Sequence, residues 1–294
     1  MDFNTALTEL TSCKTQDVFE QCLSKPEHNF TFKRYEAKKN ADSILVTLEN
    51  EFIYVIKHPY KSEDSEDVKP ENLNPNMEMF DKFGRGIILR ANFNEDKCQL
   101  VLMGVPLPFG SEDFASNFDL NQSSITTLID GTGFNVCKDP VSNLLFVSTR
   151  ACGGYYPEGP TNYFGNRNYT YGTMFRESIE EHSMEINIED LEVGKSLHFV
   201  MEHPADHKVY IIDKPRLHLI NVFNIKDNIA TYEDIDKFQM DNETNFMAPI
   251  KLHDINDIES IKNILKHSNA KITPGIKLFH KPTSTWSKRM LTNN

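Results

Sequence analysis

Two short segments place residues of catalytic or phosphate-binding type at the ends of predicted strands. Residues 128–132 read LIDGT, which puts Asp130 and Gly131 in a turn between two apolar runs. Thr149 and Arg150 follow another such run and offer a hydroxyl and a guanidinium, the groups that bind phosphate. An Asp-Gly pair is equally a routine hairpin turn. A binding role and a purely structural role are therefore both open at these positions.

Basic residues elsewhere could also either bind a ligand or simply lie at the surface. Arg85 begins an apolar run and could face a nucleotide pocket or an RNA phosphate, or it could be a surface arginine. The C-terminal segment is locally positive and could meet RNA or an acidic partner, or be simply solvated. Its basic residues are Lys277, Lys281, Lys288 and Arg289.

No metal site is predicted. The five cysteines are scattered and form no C-x-x-C pair, so neither a zinc site nor a disulfide framework is indicated. The histidines between 198 and 253 include no helical i, i+4 pair with an intervening glutamate, which a zinc protease would need.

The bulk properties narrow the class of protein. The chain has 294 residues and 39% hydrophobic residues, enough for a sizeable core, and no run of 18 apolar residues that could span a membrane. Its start lacks the basic and apolar regions of a signal peptide, which predicts an intracellular protein, cytoplasmic or nuclear. The net charge of −12 argues against wide wrapping by nucleic acid, although a local basic groove is compatible with it.

The hydrophobic pattern predicts an α+β fold with mainly antiparallel sheets, because short strands outnumber helices and come in blocks. One domain is expected over residues 1–294, with an acidic, proline-containing loop at 58–77. Helices are predicted at 4–22, 170–184, 232–240 and 254–267. Strands are predicted at 30–35, 43–57, 86–90, 99–103, 124–129, 134–137, 144–148, 197–201, 208–212, 217–223, 275–279 and 286–290.

Three short motifs follow one another in a fixed order. Residues 84–89 read GRGIIL, 128–132 read LIDGT and 197–204 read LHFVMEHP. Together they resemble the T-even phage RNA ligase family of covalent nucleotidyltransferases. In that family an R-G-I strand precedes a K-x-D-G nucleophile motif, and an F-E-x-V-x-P segment follows. The resemblance covers roughly residues 30–290. It implies an ATP-grasp-like ligase adenylation domain in which two antiparallel sheets with flanking helices form an ATP cleft.

The family's chemistry depends on charged groups. A lysine with a lowered pKa attacks the α-phosphate of ATP, while further lysines and a divalent metal such as Mg²⁺ neutralise the charge that develops. Carboxylates bind the metal and the ribose. The nucleophile must be an amine, because no other group forms the phosphoramidate.

This sequence departs from the family at three of the four catalytic positions compared. Leu128 stands at the nucleophile, Val200 at the glutamate of the F-E segment, and Pro274 at the glutamate of a later E-G-x-V strand. Glu202 would share a strand face with Val200 and could replace the lost glutamate if the segment slipped. In the final K-x-K strand Lys288 matches the first lysine, and Met290 stands at the second.

Three hypotheses follow. The resemblance with its losses implies a protein that has lost ligase chemistry and binds RNA or a nucleotide, or serves as a scaffold for protein partners. ATP and Mg²⁺ are then expected only if the cleft still functions. An alternative is an active nucleotidyltransferase with a non-standard lysine, such as Lys138 or Lys277. A third is a structural component of a viral or multiprotein assembly, with the acidic run 63–67 as its contact surface.

Overall fold

The protein is described by a computed structural model that covers residues 8–25, 30–41, 44–57, 85–104, 108–109, 122–162, 169–181, 188–206, 212–244, 246–249, 251, 275–280 and 285–290. The predicted helix at 254–267, Pro274, Lys281, the acidic loop and nearly all of the predicted strand at 208–212 lie outside these residues. The helices are α1 (Gln16–Leu23), α2 (Tyr171–Glu181) and α3 (Ile235–Asp241), with a 3₁₀ turn at Ile188–Asp190. The strands are β1 (Thr31–Ala41), β2 (Ile44–Lys57), β3 (Arg85–Asn92), β4 (Lys97–Leu102), β5 (Pro108–Phe109), β6 (Ser123–Thr127), β7 (Thr132–Lys138), β8 (Leu145–Ser148), β9 (Gly153–Tyr155), β10 (Lys195–Glu202), β11 (Arg216–Lys226), β12 (Ile229–Glu233), β13 (Gly275–His280) and β14 (Thr285–Met290).

These strands form three sheets. Sheet I has the order β1-β2-β3-β4, sheet II the order β12-β11-β10-β7-β8-β9, and sheet III the order β5-β14-β13-β6. Every pairing is antiparallel except that of β14 with β5. The α+β class with mainly antiparallel sheets is therefore confirmed.

Sheet II is the centre of the fold because both of its faces are covered. On one face Phe134, Phe199 and Leu219 pack with Met174 and Phe175 of α2 in a buried apolar cluster. The opposite face, called the cleft face below, packs partly against sheet I in a second apolar cluster that includes Ile88, Leu102, Cys137 and Phe146. Strand alternation separates the two sets, since Phe134 and Cys137 differ by an odd number of positions along β7.

Two predicted helices differ from the structure for reasons of local capping. The helix predicted at 4–22 is interrupted, because residues 12–15 are not helical and Thr15 caps α1 by accepting a hydrogen bond from the backbone N–H of Val18. The helix predicted at 232–240 starts later. Its first residues end β12, and Asp234 caps α3 through the N–H groups of Asp236 and Lys237.

A buried ion pair joins sheets I and II. Arg90 of β3 donates to Asp139, just after β7, at 2.6 Å, and also contacts Glu51. Tyr155 and Ser142 donate to the same Asp139 carboxylate, at 3.0 and 2.8 Å. Arg90 is 2% exposed and Asp139 is fully buried. Either group alone would leave an uncompensated charge in the interior.

We expect Arg90→Met to lower the free energy of unfolding by about 3–5 kcal/mol, because it leaves the Asp139 carboxylate buried without its cation. Urea denaturation measures the change. The control is Lys14→Met, since the Lys14–Asp96 pair is exposed and should contribute under about 1 kcal/mol. Equal losses in the two variants would show that the buried pair is not what joins the sheets.

Candidate functional site

The Asp130-Gly131 turn packs directly on the backbone of β10. A Cβ atom at Gly131 would lie 2.2 Å from the carbonyl oxygen of Met201 and 3.0 Å from Val200 Cγ1. Only glycine permits this approach. The turn therefore holds the end of β6, with Leu128 just beyond it, next to the strand that carries Val200.

The pairing of β10 with β7 identifies the residues of β10 that lie near the Asp130-Gly131 turn. Val200 pairs with Gly133 of β7, and the β7–β10 register is regular along its length. Glu202 lies two residues further on, where it accepts a hydrogen bond from His218 Nε2 at 2.8 Å and contacts Arg216 at 3.8 Å. Val200 therefore lies beside Gly131, and the Glu202 carboxylate, two residues on along the same face of β10, is hydrogen-bonded to His218.

A row of polar side chains crosses the cleft face. Ser148, Asn135, His198 and Asn221 are successive register partners on β8, β7, β10 and β11. His198 Nδ1 lies 2.7 Å from Asn135 Oδ1, and His198 Nε2 lies 3.2 Å from Ser196 Oγ. Burial, and then the nearby charge of Lys277, lowers the pKa of His198 to about 3. The imidazole is therefore neutral at physiological pH and serves as a hydrogen-bonding group.

Lys277 of β13 crosses from sheet III to sheet II. Its Nζ donates to Asn221 Oδ1 at 3.0 Å and to the carbonyl oxygen of Ile220 at 3.4 Å. The residue is 7% exposed, and burial lowers the pKa of its amine from 10.5 to about 7. An amine with such a pKa exists in both protonation states near neutral pH.

Sheet III places Lys277 beside the nucleophile position. Lys277 is the register partner of Thr126 on β6, so the two side chains share a face of the sheet. Leu128 is two residues beyond Thr126 and follows the end of β6 at Thr127.

The other predicted binding residues meet at one edge of the cleft face. Gly86 has a φ of 89°, and a Cβ atom there would lie 2.7 Å from Asn135 Nδ2 and 3.4 Å from the Thr149 carbonyl oxygen. Because the backbone at Gly86 packs against the backbone at Thr149, the neighbouring residues Arg85 and Arg150 lie at the same edge. The Arg150 side chain is exposed, and Asp130 is partly exposed.

Thr149 has a structural role in the turn after β8. It is 8% exposed, and its Oγ1 lies 3.0 Å from Cys152 Sγ. Its backbone N–H also donates to the Cys152 carbonyl oxygen at 2.8 Å. These contacts close the turn on itself, which leaves Arg150 as the residue there that is exposed to a ligand.

Lys138 lies at the opposite end of β7 from the Asp130-Gly131 turn, about 20 Å away for a strand of this length. It lines a separate cavity of ≈ 510 Å³ together with Lys97 and Asn228. The structure therefore brings Lys277, and not Lys138, to the cleft. Strand β14 carries Lys288 as the register partner of Lys277.

The cleft floor was largely missed by the sequence analysis. Asn135 and Asn221 are polar residues inside otherwise apolar strands, a signal that could have marked them as facing something other than a core. Among the residues that the structure describes, no three His, Cys, Asp or Glu side chains form a cluster that could hold a metal ion. No helix within the described ranges is long and apolar enough to cross a membrane.

Known proteins resemble the chain in fold. A structure described as "Putative ATP-dependent DNA ligase from Aquifex aeolicus" matches 94% of this chain and 62% of its own, with a TM-score of 0.51 and 11% identity. This likeness confirms the ligase nucleotidyltransferase fold. No family model matches the sequence, and no curated protein does.

Solved RNA ligase structures from Naegleria gruberi are similar over a smaller part of the chain. The complex with pyrophosphate matches 61% of this chain at 13% identity and a TM-score of 0.42. A point mutant of the same ligase with ATP and Mn matches 64% at 13% identity and a TM-score of 0.45. The chain spans only about half the length of these ligases, 52% and 56%.

The buried amine predicts a specific pH dependence of stability. Between pH 7 and 8.5 the unfolded chain retains a proton on Lys277, with a pKa of 10.5, that the folded protein has released, so stability should rise with pH. We expect Lys277→Met to lose a slope of about 1 kcal/mol per pH unit. Lys138→Met, which alters a partly exposed lysine, should keep the pH slope of the wild type.

Urea midpoints at several pH values measure these slopes. The window stops at 8.5 because buried thiols act with the opposite sign above it; burial raises the pKa of Cys98 to about 12, so its contribution to stability is lost at alkaline pH. Identical slopes in the wild type and Lys277→Met would contradict a buried, titrating amine.

Proposed function

We propose that this ligase-fold protein binds a nucleoside triphosphate in the cleft between sheets II and III without transferring it to the ordinary nucleophile position. The observation that carries the proposal is the apolar contact at the turn: Val200 packs against Gly131, and Leu128 directly follows the end of β6. Leu128 stands where the resemblance requires an amine and Val200 where it requires a glutamate, and the nearby Glu202 carboxylate is hydrogen-bonded to His218. Nucleotide binding does not need either group, whereas transfer does.

Retained binding is supported by the polarity of the cleft. The row Ser148, Asn135, His198 and Asn221 would be a costly way to build an ordinary core, since polar groups are tolerated in the interior only when hydrogen-bonded. Asn221 Nδ2 is buried with no hydrogen-bond partner within the protein as described. A polar floor with a donor of this kind suits a hydrogen-bonding ligand better than an apolar one.

The finer assignment, to a T-even phage RNA ligase relative that has become a pseudoenzyme, belongs to the same proposal. It rests on the order of the GRGIIL, LIDGT and LHFVMEHP motifs and on the Leu128, Val200 and Pro274 replacements. In such a protein the cleft would hold a nucleotide, or an RNA end, as a bound ligand. Arg150, exposed at the cleft edge, is suited to contact RNA phosphate.

Binding to the cleft should be sensitive to a side chain that fills the turn. We expect Val200→Arg to weaken ATP binding at least tenfold, because the longer side chain occupies the space beside Gly131. Val193→Arg is the matched control, since Val193 is 48% exposed and lies outside the cleft. Isothermal titration calorimetry with Mg²⁺ and ATP or GTP measures the affinities. Absence of binding to the wild-type protein would overturn the proposal.

The absence of transfer is tested with α-labelled ATP or GTP and a divalent metal. After denaturing electrophoresis we expect no label on the protein, because Leu128 supplies no amine. A labelled band that resists alkali and is released by acid would indicate a phosphoramidate and contradict this half of the proposal.

A second candidate function is covalent nucleotidyl transfer to Lys277. The observation that favours it is the amine's lowered pKa of about 7 on β13, the strand paired with β6 just before Leu128. In that reaction the unprotonated Nζ attacks the α-phosphorus and a nitrogen–phosphorus bond forms. The bond from the α-phosphorus to the bridging oxygen breaks, pyrophosphate leaves with its electron pair, and Nζ releases one proton to solvent. Mass spectrometry would locate an adduct on Lys277, and Lys277→Met would abolish the label.

A further inference from the structure

Two histidines among the described residues are hydrogen-bonded to a glutamate, and only one of them has partners for both ring nitrogens. His203 Nε2 lies 2.9 Å from Glu177 Oε2 of α2, and its Nδ1 accepts the backbone N–H of Ala205 at 3.0 Å. His218 Nε2 lies 2.8 Å from Glu202 Oε2, but its Nδ1 is buried without a hydrogen-bond partner in the described part of the chain. The His203 pair is therefore complete, whereas the His218 pair leaves one nitrogen open.

The contact with Glu202 determines which nitrogen of His218 carries the proton. A carboxylate only accepts hydrogen bonds, so the proton of the neutral imidazole is on Nε2. Nδ1 is then a bare acceptor in a residue that is 6% exposed, although buried acceptors are almost always paired. A bare nitrogen oriented in this way is the arrangement of a general base, because the carboxylate holds the ring and stabilises the imidazolium that forms.

The imidazole with the open nitrogen belongs to the wall of the proposed nucleotide cleft. His218 is the register partner of Val200, which shares the cleft face of β10 with His198. Val200 lies beside Gly131, so the imidazole is one strand away from the turn. The Glu177 of the complete pair belongs instead to α2, which covers the opposite face of sheet II. A ligand in the cleft would therefore meet the incomplete pair and not the complete one.

We propose that His218 and Glu202 form a catalytic pair that activates water, so that the protein hydrolyses the nucleoside triphosphate in its cleft to a nucleoside monophosphate and pyrophosphate. This inference rests on the proposed function and goes beyond it, because it adds a reaction of the bound nucleotide. Leu128 and Val200 supply no nucleophile at the turn. Water is the nucleophile that an imidazole base on the neighbouring strand can activate.

The reaction needs water as its only added reactant. His218 Nδ1 removes a proton from the water as the water oxygen forms a bond to the α-phosphorus, and the bond from the α-phosphorus to the bridging oxygen breaks. Pyrophosphate leaves with the electron pair of that bond, and His218 then releases the proton to solvent. The α-phosphorus is the expected target, because the turn beside Val200 follows the position from which the resemblance directs attack at the α-phosphate.

Incubation of the full chain with Mg²⁺ and α-labelled ATP in ¹⁸O-enriched water tests the proposal. Chromatography separates AMP from ADP, mass spectrometry locates the ¹⁸O, and calorimetry measures the affinity for ATP separately. His218→Gln, Glu202→Gln and the control His203→Gln are compared with the wild type, and circular dichroism establishes that each variant is folded. The amide of the glutamine in His218→Gln can still donate to Glu202, so this variant removes the basic nitrogen and keeps the hydrogen bond.

We expect the wild type to produce AMP and pyrophosphate, with ¹⁸O in the phosphate of AMP. His218→Gln should lower kcat at least about a hundredfold while the Kd for ATP stays within about threefold, since a positioned base contributes roughly 10²–10⁴-fold. Glu202→Gln should lower kcat at least about tenfold, because the imidazolium loses its carboxylate. His203→Gln should keep the kcat of the wild type.

The outcomes separate this inference from the function on which it rests. Failure of the wild type to bind ATP would refute the proposed function and, with it, the inference. Binding without hydrolysis, release of ADP in place of AMP, or an equal kcat in the wild type and His218→Gln would refute the inference alone. If His218→Gln does not fold, Glu202→Gln decides: a lower kcat at retained ATP affinity supports the proposal, and an unchanged kcat contradicts it.

Discussion

The contact between Gly131 and the backbone of β10 is the constraint on which the site depends. The carbonyl oxygen of Met201 leaves no room for a side chain at residue 131, so the turn and β10 are fixed relative to each other. This packing places Val200 beside Gly131, while Glu202 on the same face of β10 is hydrogen-bonded to His218. In the proposed function, Leu128 and Val200 near this turn stand where the resemblance has a lysine and a glutamate.

The aliphatic side chains of Leu128 and Val200 contrast with the polar side chains of the cleft floor. Asn135, His198 and Asn221 form a row on the one face of sheet II that is not occupied by α2, and Lys277 reaches this row from sheet III. A buried amine lowers stability unless its environment stabilises it, and burial shifts the pKa of Lys277 toward neutrality. Shifted pKa values of this kind are commoner at binding sites than in ordinary cores. These features support ligand binding, the function proposed for this cleft.

Much of the fold could be predicted from the sequence, because strand alternation and turn residues are local signals. The strands around Phe134, Leu197 and Leu278, and helix α2, lie where the apolar pattern predicts them. The break before Thr15 was missed because a cap competes locally with a longer amphipathic pattern. The site was harder: the contact of Lys277 with Asn221 joins residues 56 positions apart on different sheets. No local pattern encodes such a contact, whereas the Leu128 and Val200 replacements could be found by motif alignment alone.

The central claim is that the cleft binds a nucleotide next to the buried amine of Lys277, which titrates near neutral pH. Carbon-13 NMR of lysine-labelled protein measures it most directly, with the Lys277 signal assigned by its loss in Lys277→Met. The account predicts a pKa of about 7 for Lys277 in the free protein and a higher pKa when ATP is bound. A Lys277 pKa near 10.5 in the free protein, or one that ATP leaves unchanged, would contradict it.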